Sequence, residues 1–137
     1  MTGAAGTLGT ALVPRLLGRG LDLRLSDVRA TTAFPQSVDC RAVDLIDENA
    51  VRHLCHGATS IIHFGGISFE QPLDALLGSN VIGTENVFKA AKEAGARVIY
   101  ASSNHVAGYY PRDEKLTPDL HSGPTVCTRF RRPSENL

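Results

Sequence analysis

The sequence has no surplus of either charge: 14 lysines and arginines balance 14 aspartates and glutamates over 137 residues. A net charge near zero gives no general attraction to nucleic acid or to a membrane surface, and neither is expected as a partner. No apolar run approaches the roughly 18–20 residues that a bilayer-crossing helix needs. The N-terminus lacks a basic segment followed by an apolar stretch, so no secretory leader is expected. The three cysteines, Cys40, Cys55 and Cys127, are odd in number and irregular in spacing. They argue against a disulfide frame and for free thiols in a reducing, cytoplasmic setting. No internal repeat or low-complexity tract interrupts the chain. What remains is an ordinary globular balance, 42% hydrophobic and 20% charged, with length enough for one domain.

Hydrophobic spacing organises the chain into alternating elements. A glycine-rich stretch, Thr2 to Gly9, leads into a helix over Thr10–Gly18, with Leu8, Leu12, Val13, Leu16 and Leu17 at helical spacing. Leu21–Ser26 reads as a strand that ends at Asp27, and Arg41–Leu45 as another. Asp47–Cys55 reads as a helix. Thr59–Phe64 is a continuous apolar strand closed by Gly65 and Gly66, of the kind buried in parallel sheets. Pro72–Leu77 opens a helical stretch. Asn80–Ala94 is a clear helix with Val81, Thr84, Phe88 and Ala91 on one face and Gly95 as its stop. Arg97–Ala101 is a further strand. The alternation predicts an α/β fold: a Rossmann-like, doubly wound parallel sheet in three layers. Both ends depart from that pattern. Only Met1 precedes the glycine loop, so the first strand, central in such a sheet, is expected to be missing. Periodicity ends near Leu116. Residues 117–137 read as a flexible tail or as a frameshifted sequence, the second favoured because the break is abrupt. Residues 1–116 are then a partial nucleotide-binding domain.

Gly3, Gly6 and Gly9 form G-x-x-G-x-x-G at the opening of a helix. Glycines let the backbone turn tightly and approach a pyrophosphate, while the helix N-terminus offers free N–H groups and the positive end of its dipole. The spacing differs from the general G-x-G-x-x-G fingerprint, and a plain glycine turn is an equal reading of the loop alone. Asp27 strengthens the case. A carboxylate at the end of the next strand accepts hydrogen bonds from both adenosine ribose hydroxyls and repels a 2′-phosphate, which favours NAD over NADP. Arg29 stands close enough in sequence to meet a 2′-phosphate, and Asp27 also fits a turn or a helix cap.

The segment Thr2-Gly3-Ala4-Ala5-Gly6-Thr7-Leu8-Gly9 resembles the TGxxGxxG loop of short-chain dehydrogenases/reductases. Later segments agree in order. Asp44-Leu45 resembles the pair that meets the adenine. His63-Phe64-Gly65-Gly66 stands at the turn after the fourth strand. Asn80 opens the long helix as the family's structural asparagine does. Ser102 to Tyr110 resembles the Ser-Ser-x-x-Val-Tyr-Gly segment of the extended type, the NAD-dependent epimerase/dehydratase family. Within it, the HFGGIS turn (His63 to Ser68) and the SSNHVAGYYP run (Ser102 to Pro111) are similar to those of uronate dehydrogenases.

This resemblance implies an NAD-dependent dehydrogenase that oxidises a sugar acid at a hydroxyl carbon. It assigns Gly3, Ala5, Gly6, Thr7, Leu8, Gly9, Asp27, Asp44, Leu45, Phe64, Gly65, Gly66 and Asn80 to the cofactor. Ser68, Ser103, Asn104 and His105 are assigned to the sugar. Ser103 is the catalytic serine that hydrogen-bonds the substrate oxygen. The family's tyrosine base and the lysine that lowers its pKa have no match, because these residues contain no Tyr-x-x-x-Lys. The chain is therefore expected to be truncated and inactive alone. Intact relatives pair through the long helix, so a homodimer is implied for the intact family. A sugar-nucleotide epimerase/dehydratase fragment, a non-catalytic dinucleotide-binding module and a relic that does not fold remain alternatives. His53, Cys55 and His56 are too few for a closed zinc site, and no metal is expected. His63, after an apolar strand, reads as a satisfied core or turn histidine before it reads as a base. Arg129, Arg131 and Arg132 read as a solvated tail.

Overall fold

Four short strands form between the helices. They are β1 (Arg24–Asp27), β2 (Asp39–Ala42), β3 (Ser60–His63) and β4 (Arg97–Tyr100). The computed structural model describes residues 1–103 except 30 and 32, together with 110, 115 and 117. All pairing is parallel. β1 pairs with β2 from Arg24↔Asp39 to Asp27↔Ala42, and β3 with β4 from Ser60↔Arg97 to His63↔Tyr100.

One residue joins the two halves. Thr2 makes parallel bridges to both Ser26 and His63. The Ser26 N–H donates to the Met1 carbonyl (2.8 Å), and the Thr2 N–H to the Ile62 carbonyl (3.0 Å). The Phe64 N–H in turn donates to the Thr2 carbonyl (3.2 Å). The order is therefore β2-β1-Thr2-β3-β4. That is a Rossmann-like arrangement in which Met1 and Thr2 stand at the central position. Through these two residues β1 and β3 are connected at their carboxyl ends.

The helices lie between the strands in chain order. α1 is Thr7–Leu17 and α2 is Glu48–Cys55. Asp47 caps α2 by accepting from the Ala50 N–H (3.0 Å), and Glu48 with Arg52 complements its dipole. α3 (Leu73–Leu76) runs through a π-helical turn, Leu77–Ile82, into α4 (Gly83–Ala94). α4 ends at Gly95, whose N–H reaches the carbonyls of Ala91 and Lys92.

The long helix does not present the face expected from its sequence. Val81 and Phe88 are exposed, while Val87, Ala90 and Ala91 are buried. Phe88 instead stands against Tyr100, their ring centroids 6.0 Å apart. The buried face also takes in Asn86, whose amide donates to the carbonyls of Leu45 (2.9 Å) and Ile46 (3.2 Å).

The core has two parts. Val43, Leu45, Val51, Leu54, Ile61 and Val87 belong to a cluster that includes α2 and α4. Ala4, Val13 and Leu25 form a second cluster under α1. The chain divides into two units, Met1–Tyr100 and Ala101–Leu137. Every element above belongs to the first. The expected change of character after Leu116 lies outside the described residues.

Candidate functional site

The carboxyl ends of β1 and β3 open into a cavity of about 480 Å³. This is where open α/β sheets bind ligands, and the volume falls within the usual range for small-molecule sites. The glycine loop forms one wall, and its three glycines answer three different demands. Gly3 has φ +66°, and a side chain there would strike the backbone of Phe64 and Gly65 at about 2.5–2.6 Å. A side chain at Gly9 would collide with the carbonyls of Ala4 and Gly3, so this glycine lets α1 pack closely on the loop. Gly6 is different. Its φ of −73° is open to any residue, and a Cβ there would meet only the Gly3 carbonyl, at an ordinary 3.4 Å. No neighbour among the described residues requires glycine at position 6. A bare backbone facing the cavity is what close approach of a ligand requires.

Gly6 caps α1 without any side-chain hydrogen bond. The amides of Thr7, Leu8 and Gly9 have no partner among the described residues. A helix of eleven residues thus turns its open N-terminus and positive dipole end toward this wall. Thr7, Leu8 and Gly9 are not themselves part of the cavity lining, and the Leu8 side chain is exposed.

Asp27 ends β1 at the cavity. Its carboxylate accepts from the Ala5 N–H (3.0 Å) and the Val28 N–H (2.9 Å), which fixes both the loop and the carboxylate. A carboxylate has about four lone-pair sites, so two acceptor positions remain. Asp44 also lines the cavity, its carboxylate turned back onto the Ile46 N–H (3.0 Å), with Leu45 beside it.

Across the cavity run Phe64, Gly65 and Gly66. Asn80 does not line it. From the π turn its side chain accepts from the Ile67 N–H (2.7 Å) and donates to the Ile67 carbonyl (2.9 Å), pinning the segment that follows β3. Ser68, one residue on, is exposed and outside the cavity lining.

His63 is fully buried behind this turn. Its Nδ1 is 2.6 Å from the Thr2 hydroxyl and its Nε2 is 3.1 Å from the Thr84 hydroxyl. The Thr2 oxygen also accepts from the Gly65 N–H (3.3 Å). Burial holds the imidazole below its ordinary pKa, hence neutral. It is a satisfied core histidine that ties the central residue to α4. No group of three or more His, Cys, Asp or Glu residues gathers for a metal among the described residues. In the RHLCHG segment, His53 bonds the Asn49 carbonyl (2.7 Å) and Cys55 is buried.

The model of the NAD-dependent epimerase/dehydratase family matches residues 1–129. The chain belongs to this family. It is 42% identical to uronate dehydrogenase of Agrobacterium fabrum over 90% of this chain and 47% of that protein. A solved structure of a mutant uronate dehydrogenase from Agrobacterium tumefaciens complexed with NAD superposes with a TM-score of 0.81. The match has 42% identity and covers 90% of this chain and 47% of that one. UDP-glucose 4-epimerase of Thermus thermophilus, also complexed with NAD, gives a TM-score of 0.80 at 27% identity, over 90% of this chain and 43% of that one. The chain spans about half the length of the curated relatives it matches.

Of the family residues expected at the cofactor, Gly3, Ala5, Gly6, Asp27, Asp44, Leu45, Phe64, Gly65 and Gly66 share the one cavity. Ser103 belongs to the second unit, and Asn104 and His105 lie outside the described residues. Sequence reasoning missed Thr2, Ser26, Val28, Val43, Ile46, Ile67, Ala75 and Ser79, which also line the cavity. Val28, Val43 and Ile46 flank Asp27 and the Asp44-Leu45 pair, so their closeness to those residues was a usable signal. Ala75 and Ser79 carried none.

Proposed function

We propose that this chain is the NAD-binding part of a dehydrogenase that oxidises a sugar acid. One observation carries the nucleotide reading. The bare backbone of Gly6, which caps the open N-terminus of α1, and the anchored carboxylate of Asp27 line one cavity. Free amides suit a pyrophosphate, and a carboxylate with vacant acceptor positions suits two ribose hydroxyls. The Asp44-Leu45 corner, with Val28, Val43 and Ile46, supplies an apolar wall for an adenine. Gly65 and Gly66 lie toward the nicotinamide end.

Bound there, NAD supplies a hydride acceptor. The protein's part is to hold it and to exclude NADP through the negative charge of Asp27. The sugar-acid reading rests on likeness to uronate dehydrogenases at 42% identity, against 27% for the epimerase. Ser68, Ser103, Asn104 and His105 are proposed for the sugar and Ser103 for catalysis. These 137 residues contain no Tyr-x-x-x-Lys, so the chain by itself binds the nucleotide without transferring hydride.

Calorimetric titration tests this reading. The chain is expected to bind NAD saturably and NADP at least about tenfold more weakly. Asp27→Ala should weaken NAD by about 10–100-fold, the scale of hydrogen bonds to a charged group, and should erase the preference. Equal binding of NAD and NADP, or no binding by a chain that melts cooperatively, contradicts it.

A further inference from the structure

Thr2 captures two successive amides as the chain leaves β3. The Phe64 N–H donates to its carbonyl (3.2 Å), an ordinary rung of parallel pairing. The Gly65 N–H donates to its hydroxyl (3.3 Å). Successive N–H groups of an extended strand point to opposite sides. Here both turn to one residue, so the chain bends at Gly65. The bend brings Gly65 close against its neighbours: an added Cβ would come within 2.6 Å of the Leu45 side chain and 3.2 Å of the Thr2 hydroxyl. Thr2, Gly3, Gly65 and Gly66 all line the nucleotide cavity. The Thr2 hydroxyl therefore sets how far the Gly65 wall stands from the glycine loop across it.

What orients that hydroxyl is its own proton. Thr2 is 1% exposed, so the proton needs a partner within the protein. The acceptor in reach among the described residues is His63 Nδ1, at 2.6 Å. Nδ1 therefore accepts, the ring proton sits on Nε2, and Nε2 donates to the Thr84 hydroxyl (3.1 Å). The bonds run one way, from the Gly65 N–H through Thr2 and His63 to Thr84 in α4. Tyr100 of β4 lies beside the imidazole, ring centroids 5.5 Å apart, and confines it. We infer that His63 and Thr84 are positioning residues for the nucleotide: they aim the Thr2 hydroxyl so that its lone pair holds the Gly65 amide at the nicotinamide end of the cavity. The inference rests on the nucleotide reading given above. His63 is buried behind the turn and acts only through Thr2. Without the imidazole, the hydroxyl loses its acceptor and is free to turn its proton toward the Gly65 amide.

The test is calorimetric titration of the full 137-residue chain with NAD and with ADP, which lacks the nicotinamide half. Thr2→Val keeps the side chain's shape and removes the hydroxyl. It is expected to weaken NAD about fivefold, the worth of one neutral hydrogen bond, and to leave ADP unchanged. Thr2→Ser should restore NAD binding, and His63→Phe should reproduce the loss for NAD alone. A merely structural role would weaken both nucleotides together. Equal loss for NAD and ADP, no loss for either, or no rescue by serine leaves the nucleotide site standing and overturns the positioning role. A parent chain that binds neither nucleotide overturns the nucleotide reading and this role with it. Should the variants fail to melt cooperatively, the parent decides. Its imidazole nitrogen shifts must place the ring proton on Nε2, and NAD but not ADP must shift the Gly65 amide. A proton on Nδ1, or a Gly65 amide that answers both nucleotides alike, overturns the inference.

Discussion

Gly6 shows how a single residue reports a ligand. Gly3 and Gly9 are glycine because the protein's own atoms crowd them, whereas Gly6 sits in open backbone space beside the cavity. The substitutions should separate cleanly. Gly6→Ala is expected to leave the melting temperature within a few degrees of the parent while weakening NAD by about tenfold or more. Gly9→Ala is expected to cost about 2–4 kcal/mol, the scale of severe overpacking. Calorimetry and thermal melts distinguish the two.

His63 makes a further prediction at the same scale. Its folded pKa lies below its unfolded value of about 6.5. In that window the unfolded state binds the extra proton, so stability is complete above about pH 6.5 and falls as pH drops toward the folded pKa. Urea midpoints measured between pH 7.5 and 5 should decline, and His63→Gln should flatten the part that this residue contributes.

At the scale of elements, helical spacing through Asn80–Ala94 puts Phe88 on the buried face, yet Phe88 is 44% exposed and Val87 is fully buried. The π turn before α4 leaves no mark in composition. The turn places Asn80 against both polar groups of Ile67. Asn80→Ala should therefore destabilise the chain by about 1–3 kcal/mol and speed amide exchange at Ile67. An unchanged exchange rate there would deny the tether.

What could be read in the sequence was local. The helix opening at Asp47, Gly95 as a stop, and Asp27 at a strand end each act within a few residues of themselves. Asn86 reaching the Leu45 carbonyl, and Ala75 and Ser79 reaching the cavity, depend on contacts far apart in the chain, which no spacing rule encodes. The loop glycines were legible as a set, but their separate reasons needed the neighbours that surround them.

For the whole molecule, the link between the two strand pairs runs through the centre of the sheet. Thr2 is the sole bridge seen between the β1–β2 and β3–β4 pairs among the described residues. Bound NAD would touch residues on both sides of that bridge, since the cavity is lined from the ends of β1, β2 and β3 alike. Ligand at a hundred times its Kd contributes about 2.7 kcal/mol, so saturating NAD should raise the melting temperature by several degrees as one cooperative transition. The second unit, from Ala101, carries Ser103, proposed for catalysis, and the first carries Ser68 and the residues proposed for the nucleotide.

Amide chemical shifts followed by NMR during an NAD titration test the central claim most directly. Shifts concentrated at Ala5 to Gly9, Val28, Ile46, Gly65 and Gly66 are the expected result. A well-dispersed spectrum that NAD leaves unchanged, or changes only away from these amides, would contradict a nucleotide site at the glycine loop.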